Sequence, residues 1–230
     1  MPFTHGKHTV VYAGGYDLTG YLRSLSSSGS ADVAETSVFG LSDKTYVPGL
    51  KDATVTFEGL YDGDVEAVDE ALNEALGSSE VAWLWYHGVE TIGSYGYGGK
   101  GIETSYEVSA DIGDVVQVSG GTQLSGGRKR VQCLHAKGTE TTTGGAPSVD
   151  NGAGTTNGGG AILQSFAGDG TIKVQHSVDN IAWVDLITFD PVSSDHVGQV
   201  KEVGGTVHRY VRAHHTPGVS ITYALGFWRN

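Results

Sequence analysis

"KDATVTFEGLYDGDVEAVDEALNEALG", residues 51–77, holds two periods back to back. From Ala53 the apolar residues fall on every second position, at Ala53, Val55 and Phe57, with Thr54, Thr56 and Glu58 between them. A period of two marks a strand with one face buried. After Asp62 the spacing becomes three and four, through Val65, Val68, Leu72 and Leu76, which predicts a helix over about 63–76. Asp62 or Asp64 can accept from its free N–H groups, Glu66, Asp69 and Glu70 suit its positive end, and Gly77 stops it.

Outside this stretch the chain reads as strands and glycine turns. The segment "HTVVYAGGYDL", residues 8–18, is a strand candidate, and Leu22 and Leu25 lead into a polar, Ser/Gly-rich connection from about Ser24 to Val47, too poor in apolar residues to fold alone. "EVAWLWYHG", 80–88, is apolar on both faces and predicts a central strand. "GIETSYEVSAD", 101–111, alternates Ile102, Thr104, Tyr106 and Val108 with Glu103, Ser105, Glu107 and Ser109, which puts Glu103 and Glu107 together on a polar face. "DVVQVSG", 114–120, predicts a further strand.

With 36 glycines and 17% charged residues in 230, an all-β class with one short helix is expected. Residues 1–120 read as a sheet-plus-helix domain able to stand alone, 121–127 as a glycine-rich hinge, and 128–230 as a second β-sandwich. In the last of these, 137–160 is a low-complexity run too polar to pack, with turns at Asn151-Gly152 and Asn157-Gly158. Charge changes at the same boundary. Residues 1–126 carry five Lys and Arg against eighteen Asp and Glu, whereas 127–230 carry nine against eight. The net charge of −12 argues against a nucleic-acid-binding surface. Cys133 is the single cysteine, so the chain has no internal disulfide or cysteine-based zinc site. No apolar stretch approaches a signal peptide or the roughly 18 residues of a membrane span, and a soluble chain without membrane insertion is expected.

Motifs that carry chemistry are weak. "GYGGKG", 96–101, matches a dinucleotide-loop spacing but precedes a strand, not a helix. Asp62, Asp64 and Glu66 lack the downstream ligand of a calcium loop. His214 and His215, with His208 near, are adjacent strand residues on opposite faces and do not readily chelate one ion. Cys133 and His135 share a strand face without an oxyanion site. No catalytic, cofactor-binding or metal-binding residue is singled out, and the chain reads as a non-enzyme.

The run "VPGLKDATVTFEGLYDGDVEAVDEALNEALG", 47–77, with "YDLTGYLRSLSSSGSADVAETSVFG", 16–40, resembles the major tail (tail tube) proteins of long flexible-tailed bacteriophages. The resemblance covers residues 10 to about 118, and the second half looks like the β-sandwich appended in phages of actinobacteria. It implies a structural virion protein of the tail, assembled in the host cytoplasm as stacked rings, usually of six copies. The sheets of these copies close a β-barrel conduit for genome delivery. It further implies tape measure, tail terminator and distal tail proteins as partners, and viral DNA passing without specific binding. Glu58, Glu103 and Glu107 then become candidates for the lumen, and Ser26, Ser28, Asp32 and Glu35 for a loop reaching the next ring. A carbohydrate-binding or virion-decorating sandwich is the alternative, with His176, Asp179 and Trp183 on a hairpin and Tyr210, Tyr223 and Trp228 as stacking faces.

Overall fold

The computed structural model describes residues 4–39, 42–77 and 80–230. A short 3-10 turn, Gly6–His8, precedes β1 (Thr9–Ala13), β2 (Tyr16–Asp17), β3 (Leu22–Glu35), β4 (Tyr46–Leu60), the single helix α1 (Val68–Asn73), β5 (Val81–His87), β6 (Tyr95–Ser109) and β7 (Gln117–Glu140). The second half adds β8 (Gly144–Gly145), β9 (Val149–Asp150), β10 (Gly159–Ser177), β11 (Val184–Thr188), β12 (Val197–Val203) and β13 (Tyr210–Arg229). These strands join through antiparallel ladders into one large sheet, so the all-β class with a short helix stands. No helix among the described residues is long and apolar enough to cross a membrane.

The sheet curls around three cores. One is built from the first half: Val55 and Phe57 of β4, Trp83 and Trp85 of β5, Val118 and Leu124 of β7, and Val68 and Leu72 of α1. Trp83 and Trp85 are fully buried, and Trp→Ala at either would cost about 3–5 kcal/mol. Their packing explains the glycines of β6: a Cβ on Gly98 would stand 2.6 Å from the Trp83 carbonyl oxygen and 2.5 Å from Ile162. The dinucleotide-like spacing is therefore a packing device. A second core lies among β10, β13, β7 and the short strands of the second half.

The third core is shared. It joins Tyr12, Leu84 and Tyr86 to Val131, Cys133, Ile162, Phe166 and Trp228. Beside it the fully buried Gln164 of β10 accepts from Gly15 N–H at 2.7 Å and donates to the Ala82 carbonyl at 2.8 Å. The stretch 121–127 is not a hinge loop; it is the middle of β7, which pairs first with β4 and then with β13. Gly126 and Gly127 take left-handed φ of 76 and 75 where the ladder with β6 shifts register, while the neighbouring Gly120 is there for close packing, since a Cβ on it would meet the Phe57 ring at 2.4 Å.

Three other expectations change. The helix is six residues long rather than fourteen, because Glu66 takes a left-handed backbone (φ 65) and keeps 62–67 in a turn. Val68 and Leu72 are buried as the stripe requires, but Val65 is 83% exposed. Asp62 and Asp64 meet this entry through backbone carbonyls that accept from Asp69 and Ala67 and not through side-chain caps, and the helix ends at Asn73, with the Glu74 N–H on the Glu70 carbonyl, before it reaches Gly77. The polar connection from Ser24 is a strand: β3 pairs with β4 from Leu22↔Gly59 out to Glu35↔Tyr46. The low-complexity run contributes β8 and β9 to the edge of β13 and buries Ala146 and Val149.

Candidate functional site

β3, β4, the first part of β7 and the last part of β6 form a four-stranded sheet with two chemically distinct faces. Ala53, Val55, Phe57, Val118 and Leu124 point inward to the core. On the outer face one cross-strand row runs Ser24, Glu58, Ser119, Glu107, and the next runs Ser26, Thr56, Gly121, Ser105. Glu58 and Glu107 are exposed and flank Ser119 in a shallow polar hollow that Ser24 and Ser105 also line. Two of the three lumen candidates thus share one open surface.

Glu103 does not. It is 1% exposed and points inward, while Ile102 is 44% exposed. The cause is a bulge between Glu103 and Ser105, where two residues of β6 oppose one of β7 and the alternation changes phase. Among the described residues neither carboxylate oxygen of Glu103 has a hydrogen-bond partner, and the Thr122 hydroxyl opposite it also lacks one. Desolvation pushes the Glu103 carboxyl up to about 8.

The inter-ring candidates Ser26, Ser28, Asp32 and Glu35 all lie exposed on β3. Beyond Ser28 the β3–β4 hairpin is a two-stranded arm exposed along both strands, with Val33, Tyr46, Val47 and Leu50 open to solvent. Ser28 and Thr54 bridge their hydroxyls at 2.7 Å, and Lys44 pairs with Glu35 at 3.0 Å. Arg128 of β7 holds the base of the arm by donating to the Ser27 carbonyl and hydroxyl at 3.0 and 2.8 Å.

The alternative glycan contacts do not converge. Asp179 is consumed by its own turn, where Oδ1 accepts from the N–H groups of Ile181 and Ala182, each at 2.9 Å. These bonds hold its carboxyl below the usual range. His176 is buried and stacked on His208 at 4.3 Å, and the half-buried Trp183 carries the Arg212 guanidinium at 4.1 Å from its ring. Tyr223 and Trp228 are core residues. Cys133 is fully buried, and desolvation raises its thiol to about 12, so it is no nucleophile.

One cluster escapes the sequence reading. His135 and Glu140 of β7 meet His215 of β13: Glu140 Oε1 lies 3.0 Å from His135 Nε2, and Oε2 lies 3.4 Å from His215 Nε2. His215 and His214 do face opposite ways, as expected, but His215 finds its partners across the ladder. Five residues apart, His135 and Glu140 would fall on opposite faces of a regular strand. A bulge places Gly138 against Tyr223 and His135 against Leu225, and this brings them to one side.

No protein-family model and no curated protein matches the chain. Among solved structures, a chain from the virion of a native gene transfer agent particle aligns at 13% identity and a TM-score of 0.43, covering 56% of this chain and 98% of its own. The SPP1 Dit protein (gp 19.1), described as a hub adsorption apparatus in phages infecting Gram-positive hosts, aligns at 14% identity and a TM-score of 0.39 over 96% of this chain and 99% of its own. These are distant similarities, below the level at which function transfers.

Proposed function

We infer that the chain is a structural virion protein that polymerises as stacked rings into a phage tail tube, with the outer face of β3, β4, β7 and β6 lining the channel. The observation that carries this reading is the form of that sheet: apolar inside, polar outside, and open at both ends. Among the described residues β3 pairs with β4 alone, and β6 beyond Thr104 pairs with β7 alone. Open edges invite aggregation unless they are covered, and pairing of β3 in one subunit with the end of β6 in the next removes both by closing a barrel. Six copies per ring follow the family resemblance.

The arm supports the stacking half of the reading. A two-stranded ribbon is at best marginally stable alone in water, and apolar side chains on this one gain a partner if the arm lies on the neighbouring ring. Charge supports the channel half. The two rows around Ser119 and Gly121 carry Glu58 and Glu107 and no Lys or Arg, so phosphates passing along the wall are repelled rather than gripped. DNA then moves through without specific binding, and the protein's place is the virion tail. Electron microscopy of the concentrated, purified chain tests this: rings or tubes with a central channel are expected, and dispersed monomers at all concentrations would refute it.

A further inference from the structure

The geometry points to a divalent-metal site formed by His135, Glu140 and His215, taking a zinc-class cation through both imidazole Nε2 atoms and the carboxylate. The three ligand atoms lie within 4.8 Å of one another. Zinc binds N and O ligands at roughly 2.0–2.2 Å, so tetrahedral ligand atoms stand about 3.3 Å apart. Glu140 Oε1 lies 3.0 Å from one imidazole and Oε2 lies 3.4 Å from the other, so the carboxylate already bridges the two rings, and a bound ion would draw the three groups closer.

The rings are held in the orientation that a metal needs. His135 is stacked on Tyr223 with centroids 4.0 Å apart, and its Nδ1 lies 3.3 Å from the Tyr223 carbonyl oxygen. His215 Nδ1 lies 2.9 Å from the Tyr223 hydroxyl. With each Nδ1–H donating to Tyr223, both Nε2 atoms turn toward Glu140, and the proton that His135 Nε2 shares with Glu140 Oε1 at 3.0 Å is released when a cation takes its place. Both histidines are buried, whereas Glu140 is about one-third exposed, so the carboxylate side offers an entry path and room for water as fourth ligand. Two imidazoles with one carboxylate suit zinc-class ions better than calcium or magnesium, which prefer all-oxygen shells. The bound ion would staple the end of β7 to β13, independently of whether the chain builds a tube.

The test uses the full chain, stripped of metal with a chelator, titrated with Zn2+ by calorimetry and with Co2+ by visible absorption. One equivalent per chain, a raised Tm and the intense band of four-coordinate cobalt are expected. His135→Gln should weaken binding at least about 100-fold, Glu140→Gln at least about 10-fold, and Tyr223→Phe, which leaves all ligands in place, about 10-fold. Glu140→Gln keeps the shape of a partly exposed side chain and is checked for fold by circular dichroism. Independently of any variant, NMR of the wild type should show the His135 and His215 imidazole resonances, and not those of the other histidines, shifting with zinc. Absence of saturable binding, binding unchanged in His135→Gln and Glu140→Gln, or shifts confined to other histidines would overturn the site.

Discussion

Glu103 and Glu107 stand four residues apart on β6 and meet opposite surroundings, one buried where β6 bridges to Leu76 and the other open on the polar face. Burial holds the Glu103 carboxyl protonated up to about pH 8, whereas in an unfolded chain it ionises near 4.5. The folded state keeps a proton that the unfolded state has lost across that window. The associated stability is therefore complete below about pH 4.5 and is lost as pH rises through 8. Glu103→Gln removes the ionisation and should stabilise the protein at pH 9 by on the order of 2 kcal/mol while changing little at pH 4.5. Urea denaturation across pH measures this, and parallel profiles for the two proteins would contradict it. On the open face, Glu58→Lys with Glu107→Lys should leave the fold within about 0.5 kcal/mol of wild type, because both side chains are exposed. In the assembled tube the same pair should slow genome passage and make it salt-dependent, which ejection kinetics at several salt concentrations would measure.

At the scale of elements, the arm is the part whose removal should separate folding from assembly. Replacing residues 31–50 by a two-residue turn takes away exposed ribbon and none of the core, so Tm should stay within a few degrees of wild type while tubes no longer form and rings remain. Analytical ultracentrifugation and negative-stain images check both halves, and unchanged tube growth would contradict the stacking role. The strand of Ala53, Val55 and Phe57, the buried β5 and the apolar stripe at Val68 and Leu72 were legible in the sequence because side-chain period and burial agree there. The arm was not, since a ribbon without a buried face has no period to read. Bulges hid the rest. One at Thr104 reverses the faces of Glu103 and Glu107, and one after His135 aligns it with Glu140; neither leaves a mark that alternation can detect. The continuity of β7 was obscured by its own glycines: Gly126 and Gly127 take left-handed φ of 76 and 75 inside the strand, where the ladder with β6 shifts register, rather than ending it in a turn.

For the whole molecule, β7 and the shared core make the two halves one folding unit. A chain ending at Gly121 would cut β7 within its ladder, remove Val131, Cys133, Ile162 and Phe166 from their places against Tyr12, Leu84 and Tyr86, and lose the Gln164 clamp. Such a fragment should show no cooperative thermal transition by circular dichroism, and a sharp, two-state melt would contradict the shared-core account. The acidic excess of residues 1–126 has its meaning at this scale, because only an assembly decides which carboxylates face a channel and which face solvent. The most direct measurement is a cryo-electron-microscopy structure of the polymer formed by the full chain. The account predicts stacked rings in which β3 of each subunit pairs with β6 of its neighbour and Glu58 and Glu107 line the lumen. A polymer whose channel is lined by another face, or whose β3 edge remains unpaired, would contradict it.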